Sequence, residues 1–303
     1  KEGKVITLYK AFESSRSVSS PGIETSTYSA LYLIIGDHFE TETEFRFTKI
    51  TGRFKNLDSW ISKYSFTNVA LDPKNNKVDI SYQSPLAINF RLNENLTGAL
   101  KFTFSSPRSK QIQYATIKQR AQIYFESFSP KPFFEILDDL MLFQNFLTLG
   151  TFEPTYPLAI TLTNKERTEL IGAKTYDKVV EVLFVPGFKF SSVKRRSTWE
   201  FLFNFQDIEN NFENLLKNWY SQNANIEPVT NLLFESFYQR GRFTENSFLN
   251  IVRALETFHR RFRKNEVLPK LDHKKKIEEI LNSGCLSFFL GFSRNRQCRS
   301  DWW

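Results

Sequence analysis

The sequence from Ser247 to Arg263 reads SFLNIVRALETFHRRFR, and its period is helical. Apolar side chains recur at intervals of three and four residues, which places them on one side of an α-helix that turns about 100° per residue. This apolar side comprises Phe248, Ile251, Val252, Leu255, Phe258 and Phe262. The pattern predicts an amphipathic helix over 247–263, with Leu255 and Phe258 buried against a helix at 228–239.

The opposite side of this helix is polar and mostly basic, and it comprises Arg253, Glu256, Arg260 and Lys264. Glu256 stands four residues before Arg260, which is the favourable order for an ion pair on a helix. His259 lies at the edge of the apolar side. The ordinary interpretation is an exposed ion-pair network with a boundary histidine. A functional interpretation needs support from the rest of the chain.

Length and composition limit the possibilities. The chain has 303 residues, of which 41% are hydrophobic and 24% are charged, and 32 of them are phenylalanine. This length suits about two domains, and the phenylalanines can fill a substantial core. No stretch has the roughly 18 consecutive apolar residues of a membrane span, and no signal peptide pattern opens the chain. We therefore expect a cytoplasmic protein without membrane contact.

The positive charge is concentrated near the end of the sequence. From Arg240 to Trp303 there are 14 Lys or Arg and 7 Asp or Glu, a net charge of +7 out of +8 for the whole chain. A basic segment beside a nearly neutral one suggests a polyanionic partner such as nucleic acid, although a solvated basic surface has the same composition. Two cysteines, Cys285 and Cys298, and three scattered histidines predict neither a disulfide scaffold nor a metal site.

The first two thirds of the chain show the alternation of β-strands. Strand patterns occur at 4–12, 28–36, 44–54, 77–83, 86–92, 98–105, 111–126, 157–163 and 178–185. One helix interrupts them, from Pro132 to a terminating Gly150. From about Thr198 the period is helical, with a helix at 207–222 and a next one that has Pro228 in its first turn. The sequence predicts an α+β chain: a β-rich, sandwich-like domain over 1–200 with an inserted helix, then an all-α segment over 205–303.

Three stretches resemble the ApeA-like prokaryotic defence proteins, in which an N-terminal domain precedes a HEPN domain. The run FLNIVRALETFHRRF (248–262) is similar to an early HEPN helix. KNLDSW (55–60) and FQNFLTLG (143–150) are similar to the N-terminal domain, where Leu57 and Trp60 would anchor their segment to the sheet. The resemblance implies antiviral defence. The N-terminal domain would sense an invader-derived trigger, and the HEPN domain would cleave RNA without metal, commonly as a homodimer through the helical domain.

The resemblance also implies a site in the helical segment. Cleavage through the ribose 2′-OH needs proton transfer, which His provides near neutral pH, and a cation against the crowded phosphate, which Arg provides. In the family an acidic residue on an earlier helix can hold that Arg, and Glu256 matches its position, while His259 is the only nearby substitute for the late-helix His. Glu256 and His259 are therefore the candidate catalytic residues. The candidate RNA-binding residues are Arg253, Arg260, Arg261 and Arg263. No metal and no cofactor are expected at this site.

The last residues depart from the family pattern. The late family helix carries Arg-Asn-x-x-x-His, whereas Arg294-Asn295 is followed by Arg299 at the histidine position. A guanidinium stays charged and cannot accept a proton. We therefore expect an incomplete HEPN segment that does not cleave RNA, with the apolar stretch Leu286–Phe292 poorly covered. The alternative, of a different class, is a non-catalytic module whose β-sandwich binds a ligand or a protein.

Overall fold

The chain forms a large antiparallel sheet followed by helices. The computed structural model describes residues 3, 5–19, 21–107, 115–184, 198–238, 245–263 and 269–282. The strands in these residues are β1 (Ile6–Ser19), β2 (Ile23–Ile35), β3 (Arg46–Phe54), β4 (Phe66–Asp72), β5 (Lys77–Tyr82), β6 (Ile88–Arg91), β7 (Leu96–Ser105), β8 (Lys118–Pro132), β9 (Pro157–Ile171) and β10 (Lys174–Phe184). Eight of them form one sheet in the order β1-β2-β10-β9-β3-β8-β7-β6, and β4 pairs with β5 in a separate hairpin.

Helices cover one face of this sheet and continue the chain beyond it. They are α1 (Leu57–Ile61), α2 (Phe133–Thr151), α3 (Phe205–Ile208), α4 (Phe212–Ser221), α5 (Asn223–Tyr238), α6 (Glu245–Phe262) and α7 (Lys270–Asn282). The α+β prediction is confirmed, with the strands first and most helices after them. The first part of the chain is β-rich, as predicted for the sandwich-like domain, and the helices α1 and α2 pack on its large sheet. Of the helices described, none has the length and apolar character that crossing a bilayer requires.

The core lies between α2 and the central strands β3 and β8. Along each strand, alternate side chains point to the same face, so Ile50 and Phe54 of β3 meet Ile123 and Phe125 of β8 on the inner side. All four are at most 2% exposed. Gly52 lies between them and allows α2 to approach closely, because a Cβ there would stand 2.7 Å from the Cδ1 of Leu140. The outer face of β3 and β8 carries polar side chains instead.

Trp60 joins α1 to the core, as the sequence predicted for Leu57 and Trp60. Both side chains are fully buried, and the indole Nε1 of Trp60 donates to the carbonyl of Phe203 over 2.9 Å. Gly150 does not end α2, which continues to Thr151 before Phe152 adopts a left-handed conformation at φ 50°. Gly150 instead lies against the Trp60 ring, since a Cβ there would stand 2.7 Å from Nε1. A packing requirement, rather than a turn, places glycine at this position.

The helices α3 and α4 pack on the same core as the sheet. Phe205, Phe212 and Leu216 are at most 2% exposed and belong to the cluster that contains Trp60. Trp219 donates from Nε1 to the carbonyl of Leu142 on α2 over 2.9 Å. This part of the predicted helical segment is thus structurally continuous with the sheet, while the predicted division into 1–200 and 205–303 stays a prediction.

Two predictions for α5 and α6 are wrong. Leu255 and Phe258 are 64% and 38% exposed, because α6 packs on α5 through the neighbouring side that contains Ala254, which is 3% exposed. The small side chain of Ala254 lets the two helices approach each other. The larger side chains of Leu255 and Phe258 would keep them apart. Pro228 is not in a first turn, since α5 begins at Asn223 and contains the proline in its interior.

Candidate functional site

The predicted polar side of α6 is formed and faces solvent. Arg253, Glu256, His259, Arg260 and Arg263 are all exposed, and helical geometry places them within one half of the helix circumference. The side chains of residues three and four apart lie next to each other, so Glu256 neighbours both His259 and Arg260. Within the described residues, however, Glu256 does not form an ion pair with Arg260. The structure therefore brings these predicted residues to one surface without joining them into an ion-pair network.

Arg261 points away from this surface and towards α5. Its Nη1 donates to the carbonyl oxygens of Asn225 and Ala224 over 3.0 and 3.4 Å. The carbonyl of Ala224 would normally accept from the backbone N–H four residues later, but that residue is Pro228, which has no N–H. Arg261 thus satisfies an acceptor that the proline leaves free, and it fixes the end of α6 to the beginning of α5. Arg261 was predicted to be one of the RNA-binding residues, and in the structure it contacts the backbone of α5 instead.

Several predicted features lie outside the described residues. They are Lys264, Cys285, Cys298, the apolar stretch Leu286–Phe292 and the Arg294–Arg299 run. That Arg299 stands at the position of the family's histidine is therefore known from the sequence alone. Glu256 and His259 stay candidate catalytic residues on an exposed helical surface.

A second cluster of charged residues lies on the outer face of the sheet. None of its members was among the residues predicted from the sequence. The Nζ atoms of Lys49 and Lys101 stand 4.2 and 4.5 Å from the centre of the Tyr124 ring. Glu126 is 2.5 Å from the Nζ of Lys165 and 4.0 Å from that of Lys49. We call these five residues the lysine cluster. Its members come from four adjacent strands, β7, β8, β3 and β9.

The charges of the lysine cluster act on one another. Burial lowers the pKa of Lys49, and the charges of Lys101 and Lys165 lower it further, although Glu126 opposes them. The hydrogen bond from Lys165 lowers the pKa of Glu126. The cluster therefore contains three cationic side chains around one anionic side chain. Strand alternation in the stretch from Lys49 to Phe54 could have shown that Lys49 points outward, but its partner Glu126 is far away in sequence.

A third charged group has a structural role. The carboxylate of Asp37, 7% exposed, accepts from Lys178 over 2.6 Å and from Arg167 over 2.8 Å. Arg167 also reaches Glu44 over 3.0 Å. Burial alone would raise the pKa of Asp37, but the hydrogen bonds from Lys178, Arg167 and the His38 backbone lower it overall. This network ties the β9–β10 hairpin to the turn after β2.

Comparison with known families identifies the sheet. Residues 1–219 match the family described as ApeA N-terminal domain 1, and no match was found among the curated proteins or the solved structures. The matched residues include every described strand and the helices α1 to α3, with most of α4. The helix α6 lies beyond the match, so its resemblance to a HEPN helix stays a prediction. The chain therefore belongs to the ApeA N-terminal domain 1 family, a membership that suggests an anti-phage defence-related protein.

Proposed function

We propose that the sheet domain senses an invader-derived trigger during anti-phage defence and that the helical part contacts RNA. The observation that carries the RNA contact is the surface of α6, where Arg253, Arg260 and Arg263 are exposed together on one side. Arginine provides a planar fork of donors that suits phosphate groups. His259 lies in the last turn of α6, at the edge of the same surface.

In this proposal the helical part binds RNA as a relative of HEPN ribonucleases, and Arg299 stands where the family pattern has its histidine. A 2′-OH cleavage site needs a proton acceptor and a phosphate-binding cation held at the same phosphodiester. Glu256 and His259 both lie on the exposed side of α6 rather than in an enclosed site. The helical part would act on RNA as a binding surface, in a cytoplasmic protein that pairs through its helices.

The test of the RNA contact is the salt dependence of binding. Fluorescence anisotropy of a labelled single-stranded RNA would compare the full chain with the variant Arg253→Gln/Arg260→Gln/Arg263→Gln. The slope of log affinity against log salt should fall by about 2, because each neutralised phosphate contributes about 0.7 for a single strand. The control is Lys74→Gln/Lys77→Gln/Lys174→Gln, which removes the same charge from exposed positions of the sheet domain. Equal slopes in the two triple variants would refute the RNA contact on α6.

One observation favours the alternative function, a non-catalytic module that binds a small ligand. A cleft of about 450 Å³ opens on the sheet where β9 and β10 separate, and its lining includes Tyr156, Thr161 and Glu181. The register explains the cleft, since β10 pairs with β9 as far as Val182 while Pro157 already pairs with β3. An aromatic ring beside polar groups suits a sugar. A screen of oligosaccharides by thermal shift, with Glu181→Gln as the variant, would test it.

A further inference from the structure

The outer face of the large sheet is strongly basic at its centre, and no described helix packs on it. On the strands β7, β8 and β3, the outward positions carry Lys101, Arg120, Lys49 and Arg53, against the single outward carboxylate Glu126. The described helices α1 and α2 pack on the inner face. Cations outnumber the carboxylate by four to one on these three strands, and Asp177 on β10 also acts on Lys49. The net positive charge of this face would attract an anionic partner.

The register places these cations close to one another. Tyr124 pairs with Thr51 on β3 and with Ala99 on β7, and Lys101 pairs with Gln122 on β8. Neighbouring strands lie about 4.8 Å apart, and alternate residues of one strand about 6.8 Å apart. Arg53 follows Thr51 by two residues and therefore lies beside Gln122. The backbones of Lys101 and Arg53 thus lie about 10 Å apart on the two sides of β8, and Arg120 is the next outward residue of β8.

The chemistry of the surface fits phosphates better than it fits a small ligand or a lipid surface. The outward neighbours of the cations are Thr51, Thr103 and Gln122, which offer hydrogen bonds rather than apolar contacts. A small ligand needs a concave site, and a membrane surface needs exposed apolar side chains among the cations. An open sheet face with spaced cations and hydroxyl groups suits many weak contacts to a backbone of repeated phosphates.

We propose that the outer face of β7, β8 and β3 binds a nucleic-acid backbone, with Lys101, Arg120, Arg53 and Lys49 as the phosphate contacts. The proposal rests on the sensing role proposed above for the sheet domain, and it names nucleic acid as the class of ligand that the domain senses. Glu126 and Lys165 hold Lys49 in place beside Tyr124. The Nζ atoms of Lys49 and Lys101 both lie over the Tyr124 ring, 4.2 and 4.5 Å from its centre, so a phosphate bound there would contact two cations at once.

The experiment uses the full chain with Arg253, Arg260 and Arg263 already replaced by Gln, so that α6 contributes little. A labelled single-stranded oligonucleotide is titrated at about 50 mM and about 200 mM salt. In this background, Lys101→Gln/Arg120→Gln should weaken binding about tenfold and lower the salt slope by about 1.4, because two phosphate contacts are lost. Lys74→Gln/Lys174→Gln, which removes the same charge from exposed positions elsewhere, should change the affinity less than about twofold.

Two further measurements separate nucleic-acid binding from loss of fold and from simple attraction of polyanions. The charge-preserving variant Lys101→Arg/Arg120→Lys should keep the affinity within about twofold, while thermal unfolding of all variants should stay alike. An unlabelled oligonucleotide should compete at a lower concentration than polyglutamate of matched charge. The proposal is overturned if Lys101→Gln/Arg120→Gln leaves affinity and slope unchanged, or if polyglutamate competes equally well. A failure here with a positive result for α6 would leave the RNA contact of the helix standing.

Discussion

The hydroxyl of Tyr238, at the end of α5, lies 2.9 Å from the hydroxyl of the fully buried Thr148 on α2. The same Tyr238 hydroxyl donates to the carbonyl of Thr155 over 2.8 Å and accepts from the amide of Gln144 over 3.3 Å. One side chain therefore connects the helical segment to the helix that covers the sheet. Burial raises the pKa of Tyr238, so its hydroxyl stays neutral and available as a donor.

Tyr238→Phe should lower the free energy of unfolding by about 1 to 3 kcal/mol, because it removes a buried donor and leaves the carbonyl of Thr155 without it. The measurement is urea unfolding followed by circular dichroism. Tyr176→Phe is the matched control, since Tyr176 is 47% exposed and should tolerate the loss of its hydroxyl. Equal unfolding midpoints for the two variants would show that α5 does not depend on this contact.

Arg260 and Arg261 are adjacent in sequence but should respond differently to replacement. Arg261→Ala should lower stability by about 1 kcal/mol, because the carbonyl oxygen of Ala224, which Pro228 leaves without a helical donor, loses Arg261 as well. Arg260→Ala should change stability by less than about 0.5 kcal/mol, as expected for an exposed side chain, and should weaken RNA binding instead. Thermal unfolding and anisotropy on the same samples would check both. The opposite assignment of effects would contradict the structural role of Arg261.

The Asp37 network should make the protein sensitive to acid. The pKa of Asp37 is lower in the folded chain than in the unfolded chain, so its contribution to stability is fully present above the unfolded value of about 4. It is lost as the pH falls from there through the folded pKa. Asp37→Asn should be less stable at neutral pH and should show a shallower fall in stability below about pH 4. Denaturant unfolding between about pH 2 and 7 is the measurement, with the exposed Asp272→Asn as control. Parallel pH curves for wild type and Asp37→Asn would contradict this.

This chain should not cleave RNA. His259 is exposed on α6, and Arg299 occupies the sequence position where the family pattern has its catalytic histidine. Purified protein incubated with tRNA and with single-stranded RNA, without added metal, should leave both intact on denaturing gels. His273→Ala serves as the control for His259→Ala, because it removes a histidine from α7. Cleavage that His259→Ala abolishes and His273→Ala preserves would make His259 catalytic.

Local sequence determined the kind and approximate position of most elements. The amphipathic pattern at 247–263 predicted α6, which spans Glu245–Phe262, and the helical pattern from Pro132 predicted α2, which spans Phe133–Thr151. Trp60 was predicted to be buried, and it is. These features depend on the period of apolar residues and on side-chain size, which a single segment carries within itself. The strand β4 was missed, because its side chains are mostly exposed and its pairing with β5 supplies the regularity.

The tertiary structure alone decided which surfaces meet and which stay open. Helical period gave α6 an apolar side, but the contact with α5 formed around Ala254 and left Leu255 exposed. Strand alternation shows that Lys49 points outward, whereas the register of β3 with β8 brings Glu126 beside it. The repeat of a helix or a strand fixes the direction of a side chain relative to its own element. Its neighbours depend on contacts between elements distant in sequence, which form only when the whole core packs.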